Sequence, residues 1–199
     1  MAVSEVSICN SALTKVGNTQ YISSLVENNK AAKICNQQYE FIRDMVLAGG
    51  LWTFAIKRVS LAQVATSPAF EYTYQYQLPS DFLTDVEVSP DQVDYVIESD
   101  KLLTYSDTLS LRYVYRNEDP THWSPEFVEA FATRLAVELA YPLVQSVTLK
   151  KELMEEYKLL IGDARTFNAQ KGRPKSLQED TFLNSRWQGV PYGMEKNNG

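Results

Sequence analysis

The single histidine of the chain, His122, is the first residue to consider for catalysis. Nucleophilic triads and most catalytic metal sites depend on histidine. His122 lies in Asp119-Pro-Thr-His-Trp123, and no G-x-S-x-G, glycine-rich phosphate loop, C-x-x-C or H-E-x-x-H pattern accompanies it. We interpret it as a loop residue beside Trp123, and the sequence predicts no catalytic residue, metal site or cofactor.

Carboxylates are the second candidate, because a pair of them can hydrolyse a glycosidic bond. Asp81 and Asp85 are four residues apart and lie near tyrosines whose rings could stack on sugar. Among 25 acidic residues such pairs arise by chance, and Asp81 is also expected to cap a turn after Pro79. We favour a protein that is not an enzyme, and a glycan hydrolase stays open as an alternative.

The two cysteines, Cys9 and Cys35, each lie in an apolar helical pattern. We expect them to be buried free thiols in a reducing compartment, although a disulfide between them stays open. Residues 1–20 lack a basic start and an apolar run, so no secretory signal is expected, and no stretch is long enough to span a membrane.

Helical periodicity comes first along the chain. Apolar residues from Val6 to Val16 recur at helical spacing and predict a helix over 3–16, ended by Gly17. Ser24 and Glu27 fit a capping box and predict the start of a second helix, which ends at Gly49-Gly50. Asn28-Asn29 leave the first turn of that helix open.

The apolar period changes to two over residues 51–116 and predicts a small antiparallel sheet of hairpins. The alternating sets are Trp52, Phe54 and Ile56; Tyr72, Tyr74, Tyr76 and Leu78; Val86 and Val88; Val93, Tyr95 and Ile97; and Leu109, Leu111, Tyr113 and Tyr115. Pro79 and Pro90 interrupt the strands.

Helix returns at Ser124-Pro125-Glu126, which combines an N-cap serine with proline at the first helical position. The segment that follows is apolar on most sides, which is typical of a helix at the centre of a domain or an assembly. Pro142 should kink or end it. Residues 147–169 predict a further helix.

No period fits the chain after Gln170, where large anchor residues stand among polar ones. Such a composition is typical of a segment that becomes ordered on a partner, although chain termini are also often disordered. We interpret it as a docking arm whose candidate contact residues are Lys171, Arg173, Lys175, Phe182, Arg186, Trp187 and Tyr192.

The predicted fold class is therefore α+β: a helical bundle of two N-terminal and two or more C-terminal helices, with an inserted small antiparallel β subdomain and an extended C-terminal arm. The predicted bounds are 1–50 and 119–170 for the bundle, 51–118 for the β subdomain and 171–199 for the arm. The two helical parts must pack together, because neither has enough apolar surface alone.

Composition bears on the partners. The 12 tyrosines suit either half-buried interfaces or the wet face of a sheet. A net charge of −6 disfavours gripping nucleic acid, since phosphate binding needs clustered lysine and arginine.

Several short patterns, in order along the chain, resemble one family. They are Ile8-Cys9-Asn10-x-Ala12-Leu13-x-x-Val16-Gly17, Ile22-Ser-Ser-Leu25, Ala31-Ala32-x-x-Cys35, Tyr39-x-x-x-Arg43-Asp44-x-x-Leu47, Leu51-Trp-Thr-Phe-Ala55 with Arg58 and Leu61, Tyr76-x-Leu78-Pro79-x-Asp81, Leu111-x-Tyr113, Trp123-x-Pro125-x-Phe127 and Leu135-Ala136-x-Glu138-Leu139-Ala140. Over roughly residues 1–170 the chain resembles the tail tubular protein A family, the head-to-tail adaptors of short-tailed bacteriophages. Its sharpest point is the Trp-x-Phe-Ala element.

The resemblance implies a virion structural protein, assembled in the host cytoplasm, that forms a ring of about twelve copies beneath the portal. The ring would extend the channel through which genomic DNA is ejected and support the tail nozzle protein. We expect the β subdomain, with Tyr72, Tyr74, Tyr76 and Tyr95, to face the next tail protein, and the arm to dock on the portal. The alternatives are a tail-associated glycan hydrolase and a neck or tail-completion protein without portal contact.

Overall fold

The computed structural model describes residues 3–171, and within them the fold is α+β. The helices are α1 (Glu5–Lys15), α2 (Lys30–Ala48), α3 (Pro125–Val144) and α4 (Val147–Lys171). The strands are β1 (Ile56–Ser60), β2 (Tyr74–Gln77), β3 (Phe82–Ser89), β4 (Tyr95–Glu98), β5 (Lys101–Thr104) and β6 (Ser110–Tyr115). The predicted fold class is confirmed, with all six strands lying between α2 and α3.

Side-chain caps begin the first two helices. Ser4 and Ser7 form a reciprocal capping box at α1, and Gly17 follows its end with a φ of +78°. Helix α2 begins later than predicted, because the Asn29 side chain accepts a hydrogen bond from the backbone N–H of Ala32 at 2.7 Å. The carboxylate of Glu27 does accept from the backbone N–H of Ser24, but the Ser24 hydroxyl accepts from Val26 and no helix begins there, so the predicted start at Ser24 was wrong.

Helix α3 lies at the centre of the bundle and packs against α1, α2 and α4. Its buried residues point in every direction around the helix, as its sequence predicted. Phe127 and Phe131 anchor an aromatic cluster that includes Tyr39, Trp52 and Trp123. Pro142 lies in the last turn, two residues before the helix ends.

The six strands form two three-stranded antiparallel sheets, ordered β1-β6-β3 and β2-β5-β4. The strand predicted from Trp52 begins only at Ile56, because Thr53–Ala55 form a 3₁₀ turn. Trp52 folds back onto α2 and donates from its indole Nε1 to the carbonyl of Val46 at 3.1 Å. The alternation at Trp52 and Phe54 therefore reflects burial in the bundle and not a strand.

Two hydrophobic cores follow from this arrangement. The larger core joins all four helices with Trp52, Ala55 and Val114, so the two helical parts pack as one bundle. The smaller core lies between the two sheets, around Tyr76, Leu102 and Leu111 with their neighbours. The β subdomain thus has a core of its own beside the bundle.

Polar contacts hold the β subdomain to the bundle. Asp44 on α2 accepts from Arg116, which directly follows β6, at 2.7 Å. The side-chain amide of Asn117 donates to the carbonyl of Phe54 at 3.0 Å. These contacts fix the places where the chain leaves and rejoins the bundle.

Substituting Trp52 by phenylalanine tests whether this residue ties the two parts of the bundle together. Loss of the indole hydrogen bond and of ring volume should lower the free energy of unfolding by roughly 2 kcal/mol in urea denaturation. The neighbouring Leu51 is 58% exposed, and Leu51→Ala should change it by less than about 0.5 kcal/mol. Similar losses in both variants would contradict the assignment.

Candidate interaction surfaces

The tyrosines predicted to face a tail protein divide into two groups. Tyr72, Tyr74 and Tyr95 are partly exposed on the β subdomain. Tyr76 is 1% exposed, and its hydroxyl donates to the carbonyl of Ser106 at 3.0 Å. The prediction that Tyr76 faces a partner was wrong, because its side of β2 covers the core of the subdomain.

The most exposed aromatic residue of the β subdomain was missed by the sequence analysis. Phe70 is 80% exposed in the loop before β2, and the rings of Tyr72 and Tyr105 are in contact nearby, with centroids 5.0 Å apart. A shallow cavity of about 410 Å³ beside them is also lined by Glu98 and Asp100. The tip of the subdomain is therefore both aromatic and acidic. Periodicity could not reveal Phe70, since it lies outside any strand.

Asp81 and Asp85 hold structural hydrogen bonds. The carboxylate of Asp81 accepts from Lys57 Nζ at 2.6 Å and from the Tyr113 hydroxyl at 2.9 Å. Partial burial raises the pKa of Asp81, but the hydrogen bonds from Lys57 and Tyr113 outweigh it, so the pKa lies below the ordinary carboxyl value. A glycosidase acid needs a raised pKa. Asp81 therefore does not fit that role.

Asp85 links the two sheets. Its carboxylate on β3 accepts from the hydroxyl of Tyr95 on β4 at 2.7 Å. This hydrogen bond, together with burial, raises the pKa of Tyr95 to about 12. Tyr95 thus keeps its hydroxyl proton at physiological pH and presents only part of its ring to solvent. These contacts lend no support to the hydrolase alternative.

The other candidate chemical residues have ordinary surroundings. His122 is exposed, and its Nδ1 lies 3.1 Å from a carboxylate oxygen of Asp119. Cys9 and Cys35 are buried free thiols, as predicted. Their hydrogen bond, together with burial, raises the pKa of the Cys9 thiol. Within residues 3–171 no group of three or more His, Cys, Asp or Glu could hold a metal ion.

One predicted arm residue lies within the described chain. Lys171 is the last residue of α4, and its Nζ lies 3.6 Å from a carboxylate oxygen of Glu126 at the start of α3. The helix therefore runs two residues past its predicted end at 169 and one residue past the predicted bundle boundary at 170. The other arm residues, Arg173, Lys175, Phe182, Arg186, Trp187 and Tyr192, lie outside the described residues.

The bundle also presents apolar side chains to solvent. Phe41 on α2 is 69% exposed, and Leu159 on α4 is 72% exposed. The sequence analysis singled out neither residue. Each helix already buries an apolar stripe against α3, so a further exposed apolar residue on its outer face has no role in that packing.

Comparisons with known proteins give no family. No protein-family model matches the chain, and the search of curated proteins finds no match either. Among residues 3–171, no helix combines the length and the apolar character that crossing a membrane requires. The adaptor resemblance therefore stays a prediction that rests on the patterns quoted above.

The hydrogen bonds that Asp81 accepts predict how the stability of the fold changes at acid pH. A carboxyl whose pKa is lowered by folding stabilises the fold above its ordinary pKa of about 4 and loses that contribution as pH falls further. Asp81→Asn should therefore weaken the fall in stability below about pH 4, measured by urea unfolding at several pH values. Asp91→Asn, which changes an exposed loop of the same subdomain, is the matched control. Identical pH profiles for Asp81→Asn and the unsubstituted protein would refute the assignment.

Proposed function

We propose that this protein is a structural head-to-tail adaptor of a tailed bacteriophage. Copies of the chain form a closed ring beneath the portal. The ring extends the DNA channel and supports the tail nozzle. The chain acts as a scaffold and not as an enzyme.

The observation that carries the proposal is the order of elements around one helical core. Helices α1 and α2 precede the β subdomain, α3 and α4 follow it, and all four share a core. The Leu51–Ala55 element, the sharpest point of the resemblance, lies where the bundle gives way to the first strand, with Trp52 fully buried. This order agrees with the architecture that the resemblance implies.

The exposed surfaces support an assembly role. A ring built from identical copies needs two different contact patches on each copy, and exposed apolar side chains occur on both α2 and α4. The aromatic, acidic tip around Phe70 and Tyr72 is a third surface, which we assign to the nozzle protein. The net charge of −6 suits a channel that lets DNA pass without binding it.

The first prediction concerns mass. Mass photometry of the purified chain, alone and mixed with the portal ring of the same phage, should show the portal carrying a fixed, full complement of this chain. The mass of the chain measured alone then shows whether assembly needs the portal as a template. An intact portal that acquires no additional mass would contradict the adaptor role and favour a neck or tail-completion protein without portal contact.

The second prediction concerns the arm. A chain that ends at Lys171 keeps α4 and its contact with Glu126, so its helical circular dichroism should match that of the full chain. It should nevertheless lose portal binding, because Phe182, Trp187 and Tyr192 are absent. Restoring the segment with these three residues changed to serine is the matched control and should not rescue binding. A truncated chain that still docks would disprove the arm's role.

A further inference from the structure

Two exposed apolar centres lie on different helices of the bundle. Phe41 projects from α2 and Leu159 from α4, and both helices pack against the central α3. Both also run antiparallel to α3, as the contacts of Lys30 with Pro142 and of Lys171 with Glu126 indicate. Within one copy, α2 and α4 therefore run in the same direction.

Gly162 marks the outer face of α4 as a place of close approach. It lies three residues after Leu159, so the two share a face of the helix. A glycine inside a helix costs about 1 kcal/mol relative to alanine. Among residues 3–171, a Cβ added at Gly162 would meet no atom within 4 Å, so packing within that part of the chain does not require the glycine. The notch it leaves can admit a large side chain from another molecule.

Phe41 and Gly162 lie at the same level along α3. The ring of Tyr39 contacts that of Phe131 with centroids 5.2 Å apart, and the guanidinium of Arg134 lies 6.0 Å from the centre of the Tyr157 ring. With a helical rise of about 1.5 Å per residue, these two contacts place both Phe41 and Gly162 roughly 3 Å from Phe131, towards the start of α3.

Charge follows the same levels. Lys33 lies two turns before Phe41 on the exposed face of α2, and it has no ion-pair partner among residues 3–171. On α4 the exposed Glu152 likewise lacks an ion-pair partner within residues 3–171, whereas Glu155 forms an ion pair with Lys158. By the same rise, Lys33 lies about level with the turn that carries these two carboxylates. Lys33 and Glu152 are therefore opposite charges at about the same level, and Glu40 and Lys151 are also exposed on these two helices.

We propose that α2 of one copy packs against α4 of the next, with Phe41 seated over Gly162 beside Leu159 and with Lys33 facing Glu152 and Glu155. This inference rests on the proposed ring. When the ring axis runs along the bundle, rotation alone relates one copy to the next. Residues in contact must then lie at equal heights along that axis, and the helices of neighbouring copies keep the same direction. Phe41 and Gly162 meet both conditions. The contact is heterologous, since it joins two different faces.

Cysteine cross-linking tests this contact in the assembled protein. The double variant Phe41→Cys with Gly162→Cys, assembled with the portal ring and treated with a short bis-maleimide, should give a ladder of covalent multimers on denaturing gels. The native Cys9 and Cys35 are buried, and the unsubstituted protein reports their background. Thr14→Cys with Gly162→Cys is the matched control, because Thr14 is exposed on α1, which the proposed contact does not include, and it should give at least tenfold less multimer.

The possible outcomes distinguish a failure of the proposed interface from a failure of the proposed adaptor function. Each single variant alone should give no cross-linked dimer, because like faces do not meet in a heterologous contact. Dimers from Phe41→Cys alone would overturn the proposal in favour of a two-fold contact. Assembly of the full mass without a cross-link between positions 41 and 162 would overturn the interface and leave the adaptor role standing. Absence of any assembly would overturn both.

Discussion

Helix α3 sets the constraint on which the rest of the fold depends. Its buried side chains point in all directions, so leaving any side uncovered would expose a large apolar area to water. Segments that end more than 75 residues before it begins must therefore return to cover it, and α1 and α2 do so. The aromatic cluster around Phe127 and Phe131 records that requirement, since it collects rings from both ends of the insertion.

Once the bundle is closed around α3, the position of the β subdomain follows from short-range contacts. Trp52 is held by the end of α2, and Arg116 is held by Asp44 on the same helix. The first strand therefore leaves and the last strand returns near one end of α2. This places the aromatic, acidic tip around Phe70 on a body with its own core, where it can contact a partner without disturbing the helices.

Much of this fold was predictable, because the period of apolar residues reports which face of an element is buried. The four helices and most strands follow from that signal. It does not report whether a second face is also covered, so Tyr76 was assigned to a surface although it is buried. For the same reason the period of apolar residues did not distinguish Phe41 and Leu159 from other helix residues. The start of α2 depends on which side chain accepts from a helical N–H three residues on: Asn29 accepts from Ala32, whereas the Ser24 hydroxyl accepts from Val26, and no local pattern specifies that difference.

The pairing of β1 with β6 has a consequence for variation among related chains. Ile56 lies opposite Val114, so the two ends of the insertion are neighbours in one ladder. Within the insertion, β3 pairs with β6 and contacts α2, whereas β2, β4 and β5 form the separate second sheet. Variation in the loops of that second sheet, such as the loop that carries Phe70, can therefore accumulate while the spacing of β1 and β6 at the bundle stays constant.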